Sequence, residues 1–333
     1  MLDLSPIPEG SDASQALQNT LDLARAADEL GFTRFWLAEH HNTLSIASSA
    51  PEVMIGAVAQ VTSRIRVGSG GIMLPNHSSL RVAEVFSVLS ALHPGRIDLG
   101  LGRAPGTDRL TAQILRRGRG AESADDFPQQ LAELTAFLTG GFEDGHPYRN
   151  VVAAPVGAPT PDLWILGSSL FGAQAAAYFG VGFAFAHHIN PEPAMDALRL
   201  YRDEFRPSQF LQQPQAILAT SVICADTDDE ADRLAATADL WRLRLGQGRG
   251  RQPLPGLEEA LAYQYSPPEE AQRLASRSRM IVGSPKVVRD QLTELASTGE
   301  VTEVMVTTLV HADTARRHSN ELLAEAFDLS PDS

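Results

Sequence analysis

Arg34-Phe-Trp-Leu-Ala-Glu-His-His-Asn42 is the stretch that decides the fold. Three large apolar residues in a row, Phe35, Trp36 and Leu37, read as a short buried strand, and the run breaks at once into Glu39, His40 and His41. A strand without a polar face fits a parallel sheet covered by helices. Polar groups just past its C-terminal end then lie where such sheets carry their chemistry.

On the N-terminal side, Leu2-Asp-Leu4 reads as a clipped strand, and Asp12 or Ser14 can cap a helix over about 16–30 that Gly31 stops. Strand, helix, glycine and strand again make a βαβ unit. On the C-terminal side the unit repeats. Ser48-Ser-Ala-Pro-Glu52 supplies a start signal for a helix to about 62, and a strand at 65–69 runs into Gly70 and Gly71. A helix over about 80–92, broken by Pro94-Gly95, leads to a strand at 97–100 and the turn Gly102-Arg-Ala-Pro-Gly106. Asp125 or Asp126 can cap a helix at 127–138. Further strands follow at 163–166, 183–186, 216–224 and 303–308, with helices near 193–205, after Asp226-Thr-Asp228, from Ser284-Pro285 to about 297, and at the end. Eight apolar strands alternating with helices predict an α/β (β/α)8 barrel forming a single domain over 1–333, with a doubly wound sheet as the competing architecture. Between about 246 and 268 the pattern dissolves into glycine, proline and a short helical piece, which suggests a lid.

Composition narrows the partners. With 333 residues, 43% of them apolar, the chain can bury a large core, and a formal charge of −14 with no basic stripe argues against a nucleic-acid surface. Cys224 is the single cysteine, so no intramolecular disulfide and no cysteine-based zinc site can form. Neither a signal peptide nor an apolar run of roughly 18 residues is visible, and a cytoplasmic protein acting on a small molecule, without membrane partners, is expected.

In a barrel the βα loops converge on one mouth, where five segments would meet: Glu39/His40/His41, Gly70/Gly71, Arg103, Ser168/Ser169 and His187/His188. His40, with Glu39 beside it, suggests a general base or a positioned hydrogen-bond partner; a histidine satisfied by the core is the plainer reading. A metal site built from Glu39 and the two His-His pairs is disfavoured, because adjacent residues on extended backbone point to opposite faces. Arg103 offers a planar fork to a phosphate, and Ser168 and Ser169 open a helix whose free N–H groups favour an anion. Gly70-Gly71 could be an ordinary turn or could let a flat ring lie against bare backbone.

Trp36-Leu-Ala-Glu-His-His41, Arg66-Val-Gly-Ser-Gly-Gly-Ile-Met-Leu-Pro75 and His93-Pro-Gly-Arg-Ile-Asp-Leu-Gly-Leu-Gly-Arg103 together resemble the bacterial luciferase-like flavin monooxygenases over nearly the whole chain. Asp3-Leu-Ser-Pro-Ile-Pro8 and Leu166-Gly-Ser-Ser169 look most like a branch that includes oxygenases of aromatic polyketide pathways. The resemblance implies a TIM barrel that takes reduced FMN from a separate flavin reductase and reacts it with O2 to give a C4a-peroxyflavin. It implies His40 as the catalytic histidine, with Glu39 helping to place it. Arg103, Pro105, Gly167, Ser168, Ser169 and His187 are implied as cofactor contacts, and Gly70-Gly71 as a non-proline cis peptide under the flavin ring. The family's reactive cysteine position is Gly102 here, which speaks against aldehyde-type luminescence. The segment 246–280 corresponds to the family's mobile lid. Apolar residues on more than one face of the helices at 52–62 and 80–92 suggest a homodimer. Two other activities fit the resemblance: hydride transfer with deazaflavin F420, or flavin binding without catalysis.

Overall fold

The computed structural model describes residues 1–116 and 126–331. Asp125, one of the two candidate helix caps, lies outside the described residues. The elements run β1 (Leu2–Asp3), α1 (Ala13–Glu29), β2 (Arg34–Leu37), α2 (Pro51–Val61), β3 (Arg66–Ser69), β4 (Ile72–Met73), a 3-10 turn (Leu74–Asn76), α3 (Ser79–Leu92) and β5 (Ile97–Gly102). Then come α4 (Arg109–Leu115), α5 (Phe127–Thr139), β6 (Asp162–Gly167), α6 (Leu170–Phe179), β7 (Gly182–Ala186), α7 (Ala194–Glu204) and β8 (Ala216–Cys224). The chain ends with α8 (Asp228–Gly246), α9 (Leu257–Ala262), α10 (Pro267–Arg277), β9 (Met280–Gly283), α11 (Pro285–Gly299), β10 (Glu303–Thr307) and α12 (Asp313–Ala326).

Eight strands pair in parallel in the order β1-β2-β3-β5-β6-β7-β8-β10, and β1 returns beside β10. This is the expected barrel. The two additional strands are short extensions at its rim, β4 on β5 and β9 on β8. Local chemistry fixes the helices. Asp12 accepts from the Gln15 N–H at 2.9 Å to start α1, and Thr227 accepts from Glu230 to start α8. Pro51 opens α2, where its missing N–H costs nothing.

Two layers of core result. Trp36, Trp164, Ala184, Ile217, Ala219 and Met305 fill the barrel interior, while Phe35, Leu37, Val67, Phe183 and Phe185 point outward under the helices. Below the interior layer sits a charged plug. Asp98, fully buried, accepts from the Trp36 indole N–H at 2.8 Å, from Arg34 at 2.9 Å and from Arg66 at 2.5 Å, and Arg34 and Arg66 also bind Glu303 and Asp162. These residues all belong to the first two positions of their strands or, for Trp36, to the next inward position, so the plug closes the N-terminal end of the barrel.

The segment expected to be irregular carries two helices. α9 and α10 lie against α8, where buried Asp239 accepts from Arg273 and Arg277. Upstream of them, Leu254 is fully buried and exchanges backbone hydrogen bonds with Ile7 and Glu9, and the Gly250 carbonyl accepts from Thr43. The α2 and α3 surfaces retain exposed apolar side chains, Val53, Val88 and Leu92. Among the described residues, no helix is long and apolar enough to cross a membrane.

Candidate active site

At the C-terminal ends of the strands opens a cavity of about 1130 Å³, counting the space continuous with solvent. Its depth is apolar. Trp36, Leu2, Leu4 and Met305 form the base, and His40, Arg103, Ser168, Ser169 and His188 stand around the rim.

β2 ends at Leu37, and the segment just beyond it carries the polar cluster to the mouth. His40 turns into the cavity and Glu39, next to it, turns away. The His40 main-chain N–H donates to the Ser48 carbonyl at 2.9 Å, which fixes the strand end. Burial lowers the proton affinity of His40; the Gly106 carbonyl acts in the opposite sense, and His41 adds to the lowering. A largely neutral imidazole at neutral pH is the result, available to take a proton.

Glu39 does not face the cavity. Its carboxylate is fully buried and accepts from the main-chain N–H of Met73 at 2.8 Å, from His41 Nε2 at 2.9 Å and from His77 Nε2 at 2.9 Å. Burial alone would raise its pKa, but the hydrogen bonds from His41, His77 and Met73 outweigh it and hold it at about 2. The residue is therefore a clamp joining the end of β2 to the β4 turn, and the expectation that it places His40 directly is corrected. His41, without a role in the sequence reading, is one arm of that clamp.

The loop after β3 contains a cis peptide between Gly70 and Gly71, as the resemblance implied. Gly71 requires glycine, because a Cβ there would lie 2.8 Å from the Gly100 carbonyl oxygen; one on Gly70 would press on Leu2 Cδ1 at 2.7 Å, the end of a side chain that can shift, and on Trp36 Cβ at 3.2 Å. Gly70 lines the cavity as bare backbone.

On the β5 and β6 side the structure assembles an anion cradle. The Arg103 guanidinium lies over the Phe171 ring at 4.1 Å and has no carboxylate partner among the described residues. Ser169 occupies the cap position of α6, yet its hydroxyl makes no capping bond, so hydroxyl and first-turn N–H groups are left for a ligand. Gly167 packs closely on Gly172, where a Cβ would meet the opposing Cα at 3.3 Å, so this wall stays flat. A flavin phosphate fits Arg103, Ser168, Ser169 and the α6 terminus, and a flat ring fits the glycine floor.

Two expected cofactor residues lie elsewhere. Pro105 does not line the cavity; its carbonyl accepts from Asn76 Nδ2 at 3.0 Å and buttresses the arginine turn. His187 is also outside the lining, its Nδ1 buried without a partner, while His188 faces the cavity in its place. The His188 ring donates from Nδ1 to the Ala219 carbonyl at 3.0 Å, and burial pushes its pKa down to about 4. No grouping of three or more His, Cys, Asp or Glu among the described residues is arranged to hold a metal ion.

The family model for luciferase-like monooxygenases matches residues 1–301. A luciferase-like monooxygenase of Escherichia coli K12 is 42% identical over 322 residues, covering 97% of this chain and 94% of its own. The N-acetyl-S-alkylcysteine monooxygenase of Bacillus subtilis is 36% identical over 328 residues, covering 98% and 97%. The crystal structure of apo-MsnO8 superposes with a TM-score of 0.91 at 40% identity, covering 99% and 98%. The FMN complex of the 3,6-diketocamphane monooxygenase oxygenating constituent from Pseudomonas putida shares the fold, with a TM-score of 0.71 at 18% identity over 99% of this chain and 97% of its own.

Proposed function

The chain belongs to the luciferase-like monooxygenase family, and from that premise we propose that it is the oxygenase of a two-component system, taking reduced FMN from a separate flavin reductase and oxygenating an organic substrate with O2. The single observation that supports a phosphate-bearing flavin is the Arg103 guanidinium, without a carboxylate partner among the described residues, stacked on Phe171 beside the uncapped start of α6. A phosphate satisfies both at once.

In this reading Arg103, Ser168, Ser169 and the first turn of α6 hold the phosphate, and Gly167 leaves room for it. The glycine floor at Gly70-Gly71 carries the flat ring. Reduced FMN, when bound, supplies the electrons that activate O2. His40, kept largely neutral by burial, accepts or returns a proton at its cavity-facing imidazole as oxygen is transferred. The apolar walls and the 246–280 segment, acting as a lid, exclude the water that would otherwise divert activated oxygen.

The proposed reaction is epoxidation or hydroxylation of an aromatic polyketide intermediate in antibiotic biosynthesis. Its support is the sequence likeness to the branch that includes oxygenases of aromatic polyketide pathways and the apolar cavity base of Trp36, Leu2, Leu4 and Met305. We further propose a cytoplasmic homodimer, with Val53, Val88 and Leu92 of α2 and α3 covered between subunits.

Incubating candidate polyketides with the protein, reduced FMN and labelled O2 tests the reading by mass spectrometry. One labelled oxygen atom in the product is expected. Product without label, or unchanged substrate together with tighter anaerobic binding of F420 than of FMN, would remove the monooxygenase assignment.

A further inference from the structure

His188 stands outside the flavin contacts assigned above, and its hydrogen bonding leaves one ring atom unused. The Ala219 carbonyl can only accept, so the 3.0 Å contact fixes the proton on Nδ1. The second nitrogen, Nε2, is then a lone pair. It belongs to a side chain that lines the cavity.

Three charged or titratable neighbours act on this ring: Arg242, His187 and His40. All of them disfavour a second proton. Arg242 is held in place by a 2.8 Å bond to the hydroxyl of Ser221, which lies two residues beyond Ala219 on the same face of β8. The Ala219 carbonyl on its own favours the protonated ring, but burial and the neighbouring guanidinium outweigh it; the carbonyl decides which nitrogen keeps the one remaining proton, and Nε2 is a hydrogen-bond acceptor throughout the neutral pH range.

Strand order says what it accepts from. The phosphate cradle belongs to β5 and β6 and the glycine floor to β3, so the cofactor of the proposed function occupies the adjoining sector β3-β5-β6. His188 follows β7, on the far side of the mouth from β2 and His40. The space between them is walled by Leu2, Leu4, Ala219 and Met305, all apolar. An acceptor set in an apolar wall discriminates strongly, because a ligand that covers it without donating leaves it unpaired.

We propose that the half of the mouth bounded by β7, β8, β10 and β1 is the substrate site, and that His188 Nε2 selects an apolar molecule bearing a neutral hydroxyl or amide N–H donor. This rests on the cofactor placement of the proposed function and adds the substrate's donor group to it. His188 is a specificity residue, whereas His40 across the mouth is the proton carrier.

Binding of a matched pair tests this without turnover. 2-Naphthol and 2-methoxynaphthalene differ in the donor alone, and their affinities for the FMN-loaded protein can be read by calorimetry. The wild type should prefer the naphthol by about tenfold, the loss of one hydrogen bond to a buried acceptor. His188→Asn keeps an N–H near the Ala219 carbonyl but removes the cavity acceptor, and it should abolish the preference while leaving ether affinity unchanged. His188→Gln, which returns an acceptor near the Nε2 position, should restore part of it. Equal affinities in the wild type, failure of both compounds to bind, or a preference that survives His188→Asn would overturn the proposal. A protein that shows the preference yet never incorporates labelled oxygen refutes the monooxygenase reading and leaves the donor-selective site standing.

Discussion

Replacing Glu39 by Gln separates a structural clamp from a catalytic group. The carboxylate accepts from His41 Nε2, His77 Nε2 and the Met73 N–H, and the substitution keeps its volume while removing its charge and replacing one acceptor oxygen by a donor. That donor would meet N–H groups. The fall of its pKa from an ordinary 4.5 to about 2 corresponds to about 3 kcal/mol of preferential stabilisation of the charged form, at roughly 1.4 kcal/mol per pH unit. Because the folded-state pKa is below the unfolded one, this contribution is complete above about pH 4.5 and is lost as pH falls towards about 2. Urea unfolding of Glu39→Gln at pH 7 should therefore show a loss of about 2 to 3 kcal/mol. The gap between the variant and the wild type should close as both are titrated from pH 5 to pH 2.5. Oxygenation per folded molecule should fall by less than about tenfold, since the group touches neither cavity nor ligand. An unchanged urea midpoint at pH 7, or a gap that does not narrow in acid, would refute the clamp; a collapse of turnover with full stability would return Glu39 to catalysis.

His40→Ala should lower product formation by about 10² to 10⁴ with FMN affinity nearly unchanged, which single-turnover kinetics and fluorescence titration can separate. Arg103→Ala should weaken FMN by at least about tenfold, the order of one charged hydrogen bond. Riboflavin, which lacks the phosphate, should bind the variant and the wild type alike in the same titration. Asp98→Ala leaves the Arg34 and Arg66 guanidinium groups and the Trp36 N–H without their shared acceptor. It should cost about 3 to 5 kcal/mol by urea unfolding, while FMN affinity per folded molecule stays unchanged.

The barrel was legible because most of its strands carry a short buried apolar stretch, such as Phe35-Trp-Leu37, Leu163-Trp-Ile-Leu166 and Phe183-Ala-Phe-Ala186, set between helix signals, with the charged plug residues confined to the strand starts. Ile72–Met73 and Met280–Gly283 were not, since pieces of two and four residues pair with neighbours that only the closed barrel supplies. α10 has no buried residue; ion pairs to Asp239, some 34 to 38 residues earlier, hold it in place. Its one local sign was Ser266-Pro-Pro-Glu269, a capping box with proline in the first turn. At the site, residue types and segments were readable but side-chain direction was not. β7 ends at Ala186, so strand alternation cannot be carried forward to decide between His187 and His188. Glu39 looked like a helper for His40 because its true partners, Met73 and His77, are 34 and 38 residues away.

The two ends of the barrel divide stability from chemistry by opposite electrostatic means. At the N-terminal end Asp98, Arg34, Arg66, Asp162 and Glu303 satisfy one another, and that fixed network can afford no unpaired charge. At the mouth His40 and His188 are held neutral by burial, and Arg103 stands without a carboxylate among the described residues. A neutral imidazole and an unpaired guanidinium are poor contributors to folding but ready for ligands: one can accept a proton or a donor hydrogen, the other an anion. The Glu39 clamp lies between these regimes. It draws His41 and His77 out of the mouth by binding them to a buried carboxylate, so that of the histidines near the end of β2 only His40 faces the cavity. Loss of the clamp should thus alter the mouth indirectly, by loosening the end of β2 from the β4 turn, and a raised KM with kcat nearly retained for Glu39→Gln is the mark by which that effect can be told from direct catalysis.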